Sequence, residues 1–180
     1  MARDPITLTQ LLAALRGQVA ILEQRGDMSR PVQGITDDSR AVMAGSLFVA
    51  VKGERVDGHN FIEQAIKSGA SAIIAQAPMA SGPLPFVLVA DSRKALGFLG
   101  SRFHGDPSAR LKMIGVTGTN GKTTTTYICK SLLEGIGRKV GLIGTVGYQI
   151  GQETFPTSHT TPGALDLQQL LAKMVESGLT

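Results

Sequence analysis

Seven residues, Gly118 to Thr124, combine two glycines, a lysine and adjacent hydroxyls at a spacing suited to holding phosphate. Phosphate oxygens need several backbone N–H donors converging on one point, and Gly118 and Gly121 permit the positive φ angles and close approach that this requires. A helix starting near Lys122 would turn its unpaired N–H groups and its dipole toward the anion. Lys122 would then reach the β- and γ-phosphates as a mobile point charge, and Thr123 would place a hydroxyl on Mg²⁺. The expected ATP contacts are therefore Gly118, Thr119, Asn120, Gly121, Lys122, Thr123 and Thr124, with Lys122 the catalytic cation and Thr123 the metal contact. The strict G-x-x-x-x-G-K-S/T pattern asks for glycine where this chain has Val116. The competing account, a glycine-rich turn with a surface lysine, is weakened by the strand expected before the loop and the helix expected after it.

Those flanking elements are legible in the hydrophobic pattern. The run Leu111–Val116 predicts a strand leading into the loop, and residues 121–135 predict the helix leaving it, followed by a strand over Lys139–Ile143. Leu165, Leu167, Leu170, Leu171 and Met174 supply the apolar face of a helix over Gly163–Ser177. Upstream, Leu8, Leu11, Leu12 and Leu15 mark one face of a short helix, with Thr7 and Gln10 at capping-box spacing and Gly17 after its end. Ser46–Val51, Ser71–Ala75 and Phe86–Ala90 are nearly continuous apolar runs, which predicts strands covered on both faces. Helices are expected over Asn60–Ser68 and Ser92–Phe103, with Asp91 and Asp106 as caps. Strands alternating with helices give an α/β architecture with parallel pairing. The breakers in Gly105–Ser108 place a domain boundary there, giving domains 1–107 and 108–180.

Composition narrows the partners. Lys and Arg exceed Asp and Glu by 18 − 14 = 4, but the charges are scattered and only 4 % of residues are aromatic, so no nucleic-acid surface is expected. One cysteine, Cys129, excludes an internal disulfide, and no apolar stretch approaches a membrane span. The expectation is a soluble, cytoplasmic, monomeric protein acting on small molecules.

The loop GVTGTNGKTTTT (Gly115–Thr126) resembles the nucleotide loop of the Mur ligases and folylpolyglutamate synthetases, a variant in which Val116 is ordinary. Gly141–Tyr148 and Thr160–Gln168 resemble the Mur ligase branch that adds the third residue of the peptidoglycan stem peptide. Asp38–Arg40, Gly45–Ala50 and Asp57–Phe61 resemble its uridine-nucleotide domain. The resemblance runs from Asp37 to Thr180, with its motifs in order. It implies an N-terminal α/β uridine-nucleotide-binding domain followed by the first part of a P-loop α/β ATPase-like central domain. It further implies an ATP- and Mg²⁺-dependent ligase in which the D-Glu carboxylate of UDP-MurNAc-L-Ala-D-Glu becomes an acyl phosphate. A diamino acid, meso-diaminopimelate or L-lysine, then displaces the phosphate. Carried over by resemblance, Ser39 contacts the uridine nucleotide, and Thr160 and Thr161 contact the muramoyl peptide, with Asp37 and Glu54–Val56 as further uridine-pocket residues.

Two other accounts remain open at this level: a non-catalytic module gripping UDP-sugar or ATP, or another Mur-type ligase such as the tripeptide-to-pentapeptide ligase or cyanophycin synthetase. The later Mg²⁺-binding acid, the modified lysine and the C-terminal domain implied by the resemblance lie beyond Thr180, so the 180 residues alone are not expected to form the amide bond. His59 and His104 lack metal-ligand neighbours in the sequence and are expected to be structural.

Overall fold

The computed structural model describes residues 5–53, 56–80, 82–144, 146–151, 153–155 and 162–180. The chain divides into two compact units, Met1–Phe103 and His104–Thr180.

The first unit runs β1 (Ile6–Thr7), α1 (Leu8–Leu12), β2 (Ile21–Arg25), β3 (Pro31–Val32), β4 (Gly34–Thr36), β5 (Ser46–Ala50), α2 (Ile62–Lys67), β6 (Ala72–Ala75), β7 (Phe86–Val89) and α3 (Ser92–Phe103). Its five-stranded sheet has the order β2-β7-β6-β5-β4. Strands β4 to β7 are parallel, and β2 closes the β7 edge antiparallel. Every residue of β5 and β6 is buried, as their continuous apolar sequence requires of strands covered on both faces. Alternation divides these residues: Phe48, Ala50, Ile73 and Ala75 pack with Ile62 and Ala65 of α2. Leu47, Val49 and Ile74, also fully buried, therefore project from the opposite face, which α3 covers, with α1 packed against α3.

Local signals set the helix ends. The Thr7–Gln10 capping box forms on both sides, with the Gln10 N–H reaching Thr7 Oγ1 and the Thr7 N–H reaching Gln10 Oε1 at 2.8 Å. The expected helix over residues 8–15 is α only to Leu12 and tightens to 3₁₀ over Ala13–Leu15. Asp91 caps α3 by accepting the Lys94 N–H at 2.9 Å. Asp106 does not cap the turn that follows it; it adopts a left-handed conformation at φ +51° before Pro107–Arg110.

The second unit comprises α4 (Lys122–Gly135), β8 (Gly141–Gly144), β9 (Gly147–Ile150), β10 (Glu153–Phe155) and α5 (Ala164–Glu176). Here the strands form an antiparallel meander, β10-β9-β8. Tyr148 and Phe155, directly opposed across β9 and β10, stack with ring centroids 5.3 Å apart. Ile150, Leu171, Met174 and Leu179 make the core that binds α5 to this sheet. The strand expected over Leu111–Val116 does not form: the segment has no ladder pairing, and Met113 and Ile114 are exposed. Apolar content makes a strand possible, but a strand also needs a neighbour to take its N–H and C=O groups, and β8 pairs with β9. No helix among the described residues is long and apolar enough to cross a membrane.

Candidate functional site

Helix α4 opens on Gly121, which is left-handed at φ +77°, and Gly118 stands at φ +151°. A Cβ at Gly121 would meet nothing within 4 Å, so backbone conformation and not crowding calls for glycine there. The first helical hydrogen bond back to the loop is Thr125 N–H to Gly121 O at 2.9 Å. The N–H groups of the preceding first turn have no partner within the helix, and no side chain caps them. The Lys122 ammonium donates to Gly118 O at 2.6 Å, folding back over the loop from which it springs. Residues Thr119 to Thr124 are exposed and line an open concavity of about 410 Å³, whose far wall is formed by Leu142, Ile143 and Gly144 of β8. Free donors, a helix dipole and one ammonium around a solvent-filled concavity form a receptor for a polyanion.

Thr123 is the second residue of α4 and is exposed beside Lys122. Among the described residues no group of three or more His, Cys, Asp or Glu side chains could hold a metal. The exposed Thr123 hydroxyl is the kind of single protein oxygen that a nucleotide-borne Mg²⁺ would need. Thr126 turns its hydroxyl onto Thr123 O at 2.8 Å, so the end of the threonine run serves the helix itself.

Ser39 lies in the first unit, in the 3₁₀ turn Ser39–Ala41 after β4. It is only 8 % exposed and its hydroxyl meets Gln64 Oε1 at 3.3 Å. The hydroxyl thus faces α2, which sequence alone did not indicate. Thr160, Thr161, Glu54 and Arg55 lie outside the described residues. Within the second unit the structure brings together the loop residues Thr119–Thr124 and β8.

The motif around His59 has a structural content that the sequence hid. Asp57 caps the 3₁₀ turn Gly58–Phe61 through the His59 N–H at 3.0 Å. The His59 ring lies with Nδ1 2.5 Å from Asp57 Oδ1, while Nε2 accepts the Gln76 N–H at 3.2 Å. That acceptor role assigns the neutral ring's proton to Nδ1. The Gln76 side chain in turn accepts from Ser92 N–H and Oγ–H, at 3.2 and 2.9 Å, so one chain of hydrogen bonds joins the ends of β5, β6 and β7. His59→Phe keeps the ring volume and removes both bonds; urea unfolding should show a loss of about 1–2 kcal/mol, and an unchanged midpoint would remove this role.

Two of these turns respond to acid. Hydrogen bonds from the Arg40 side chain, then from its backbone N–H, hold the Asp38 carboxyl below the usual carboxylate range. The His59 backbone N–H, then its ring, does the same for Asp57. Folded values below the unfolded value of about 4 mean that this stabilisation is complete above pH ~4 and disappears as pH falls through the folded values. Carboxyl ¹³C shifts should titrate with midpoints below about 3.9 at both residues, and a midpoint at or above that would contradict it.

Comparison with known proteins gives a consistent family. A family model described as the Mur ligase middle domain matches residues 116–180, and one described as the Mur ligase family catalytic domain matches residues 31–104. The UDP-N-acetylmuramoyl-L-alanyl-D-glutamate–2,6-diaminopimelate ligase of Geobacillus thermodenitrificans is 52 % identical over 142 residues, 79 % of this chain and 29 % of that protein. A solved structure of a ligase with the same name superposes at a TM-score of 0.78 and 27 % identity, covering 98 % of this chain and 35 % of that one. MurF from Acinetobacter baumannii superposes at 0.59 and 31 % identity, over 94 % of this chain and 33 % of its own. The chain therefore spans about a third of the length of these relatives.

Proposed function

The chain belongs to the Mur ligase family, whose members use ATP, and from that premise we propose that it is the nucleotide-loop and uridine-domain portion of a diaminopimelate-adding ligase of peptidoglycan precursor synthesis. The observation that carries this reading is the exposed loop Gly118–Thr124, with its free helix N-terminus and the Lys122 ammonium folded over it. The higher superposition with the diaminopimelate ligase than with MurF supports that branch.

The chemistry follows from a poor electrophile. A carboxylate resists attack by an amine, so the D-Glu carboxylate oxygen of UDP-MurNAc-L-Ala-D-Glu attacks the γ-phosphorus of ATP, and the bond to the β-phosphate oxygen breaks to release ADP. The amine of diaminopimelate then adds to the acyl carbon, and phosphate departs as the nitrogen loses its proton. In this chain Lys122 and the α4 N-terminus neutralise charge on the phosphoryl group as it moves, and Thr123 supplies the protein ligand to Mg²⁺. A Mg²⁺ ion arriving with the nucleotide would be held by the Thr123 hydroxyl and would supply further charge neutralisation. Ser39 is assigned to the uridine nucleotide and Thr160 and Thr161 to the muramoyl peptide. Residues 1–107 then form the UDP-MurNAc domain and residues 108–180 the start of the ATP domain. Small cytoplasmic substrates are the partners, and the working form is a monomer.

The test is a ligation assay on the full-length protein with Mg–ATP, UDP-MurNAc-L-Ala-D-Glu and diaminopimelate. Phosphate should appear in step with the tripeptide and only when all three are present. ATP turnover without tripeptide, whether diaminopimelate or lysine is offered, would sink the proposal.

A further inference from the structure

Lys130 lies two turns beyond Lys122 on α4, about 12 Å along the helix axis at 1.5 Å per residue. Its side chain is only 12 % exposed, unusual for a lysine on a helix that buries no residue completely. The ammonium has three hydrogens and three acceptors: Gln149 Oε1 at 2.7 Å, Gly151 O at 3.3 Å, and Glu134 Oε1 one turn on at 3.4 Å. Gln149 belongs to β9, and Gly151 is the first residue of the turn into β10. Both strand-side acceptors are neutral, so the charge is balanced by Glu134 alone among these three, and the geometry is held by the hairpin. The turn cannot shift without breaking the bond to Gly151 O, and α4 cannot roll without breaking the bond to Gln149.

We propose that Lys130 is a positioning residue that couples the phosphate loop at the start of α4 to the β9–β10 hairpin, so that a nucleotide settling on the loop also stiffens the hairpin. The inference rests on the nucleotide reading of residues 118–124 and adds to it a second place where binding is felt. The helix is the lever: the nucleotide loads its N-terminus, and Lys130 fastens its middle.

Hydrogen exchange on the full-length protein, with and without saturating Mg–ATP, separates the possibilities. In the wild type the nucleotide should slow exchange in residues 118–124 and also, by about five- to tenfold, in residues 147–151. Lys130→Met should keep protection of the loop and lose that of the hairpin, and Lys130→Arg should retain both. Gln149→Leu approaches the same contact from the hairpin side and should weaken the hairpin response while leaving α4 intact. Because the readout is a difference caused by nucleotide, a variant that is merely less stable does not mimic the result. Unchanged hairpin protection in Lys130→Met and Gln149→Leu overturns the proposal, as does wild-type protection confined to the loop. If Mg–ATP protects no loop residue in the wild type, the nucleotide reading fails and this inference falls with it.

Discussion

Lys122→Met in the full-length ligase should lower kcat by about 10²–10³, the size of loss seen when one preorganised donor to a charged transition state is removed. The substitution keeps the length and most of the volume of the stem and deletes only the charge. Lys122 is exposed, and its ammonium donates to Gly118 O in its own loop, so the fold has little to lose. Stability should therefore stay within about 0.5 kcal/mol of wild type. Nucleotide affinity should fall less than the rate, because the backbone donors of the loop and the α4 dipole still hold the phosphates in the ground state. Single-turnover acyl-phosphate formation, with ATP binding measured separately, gives both numbers. Equal losses in binding and rate would recast Lys122 as a ground-state contact, and full activity would remove it from the chemistry.

That contrast between loop and fold also marks what the sequence could reveal. The geometry of the loop was legible because it is local: glycines at 118 and 121, the lysine and the helix start lie within one run, and α4 begins at Lys122 as the spacing requires. β5, β6 and β7 were legible because strands buried on both faces have no polar alternation to blur them. The short strands β2, β3 and β4 escaped notice: Ile21–Arg25 has a polar centre, and its pairing with β7 depends on a segment more than sixty residues away. In Leu111–Val116 the error went the other way, since apolar content cannot show whether a neighbouring strand exists. β9 and β10 were also missed, because Gly141–Tyr148 drew attention as a family motif although Tyr148 and Phe155 face each other as a cross-strand pair. The motif singled out Ser39, but the Gln64 side chain that receives its hydroxyl lies 25 residues on, beyond any local signal.

Gly58→Ala and Gly141→Ala form a matched pair in which the shorter contact should do less harm. A Cβ on Gly141 would lie 2.6 Å from Met174 Sδ and 3.0 Å from Leu179 Cδ2, both ends of side chains. The Met174 thioether has three soft torsions and can swing away within its own core, so the cost should stay below about 1 kcal/mol. A Cβ on Gly58 would lie 2.7 Å from Val51 O and 2.9 Å from Val51 N, and neither can rotate aside. The same two backbones are already tied by the Gly58 N–H to Val51 O bond at 3.0 Å. Relieving the clash must therefore separate the end of β5 from the turn that carries Asp57 and His59, breaking that bond and straining the His59–Gln76 link that joins β5 to β6. The expected loss is about 1–3 kcal/mol for overpacking, with about 1 kcal/mol more for each hydrogen bond that goes with it. Urea titration followed by hydrogen exchange of β5 and β6 amides for Gly58→Ala, and of β8 and β9 amides for Gly141→Ala, reads each unit by itself. A larger effect at Gly141 would mean that the α5 core is stiffer than a methionine should allow and that the Gly58 turn can yield. The expected order would instead explain why the Asp57–His59 motif has glycine at its centre: the strand end and the turn touch backbone to backbone, and only hydrogen fits between them.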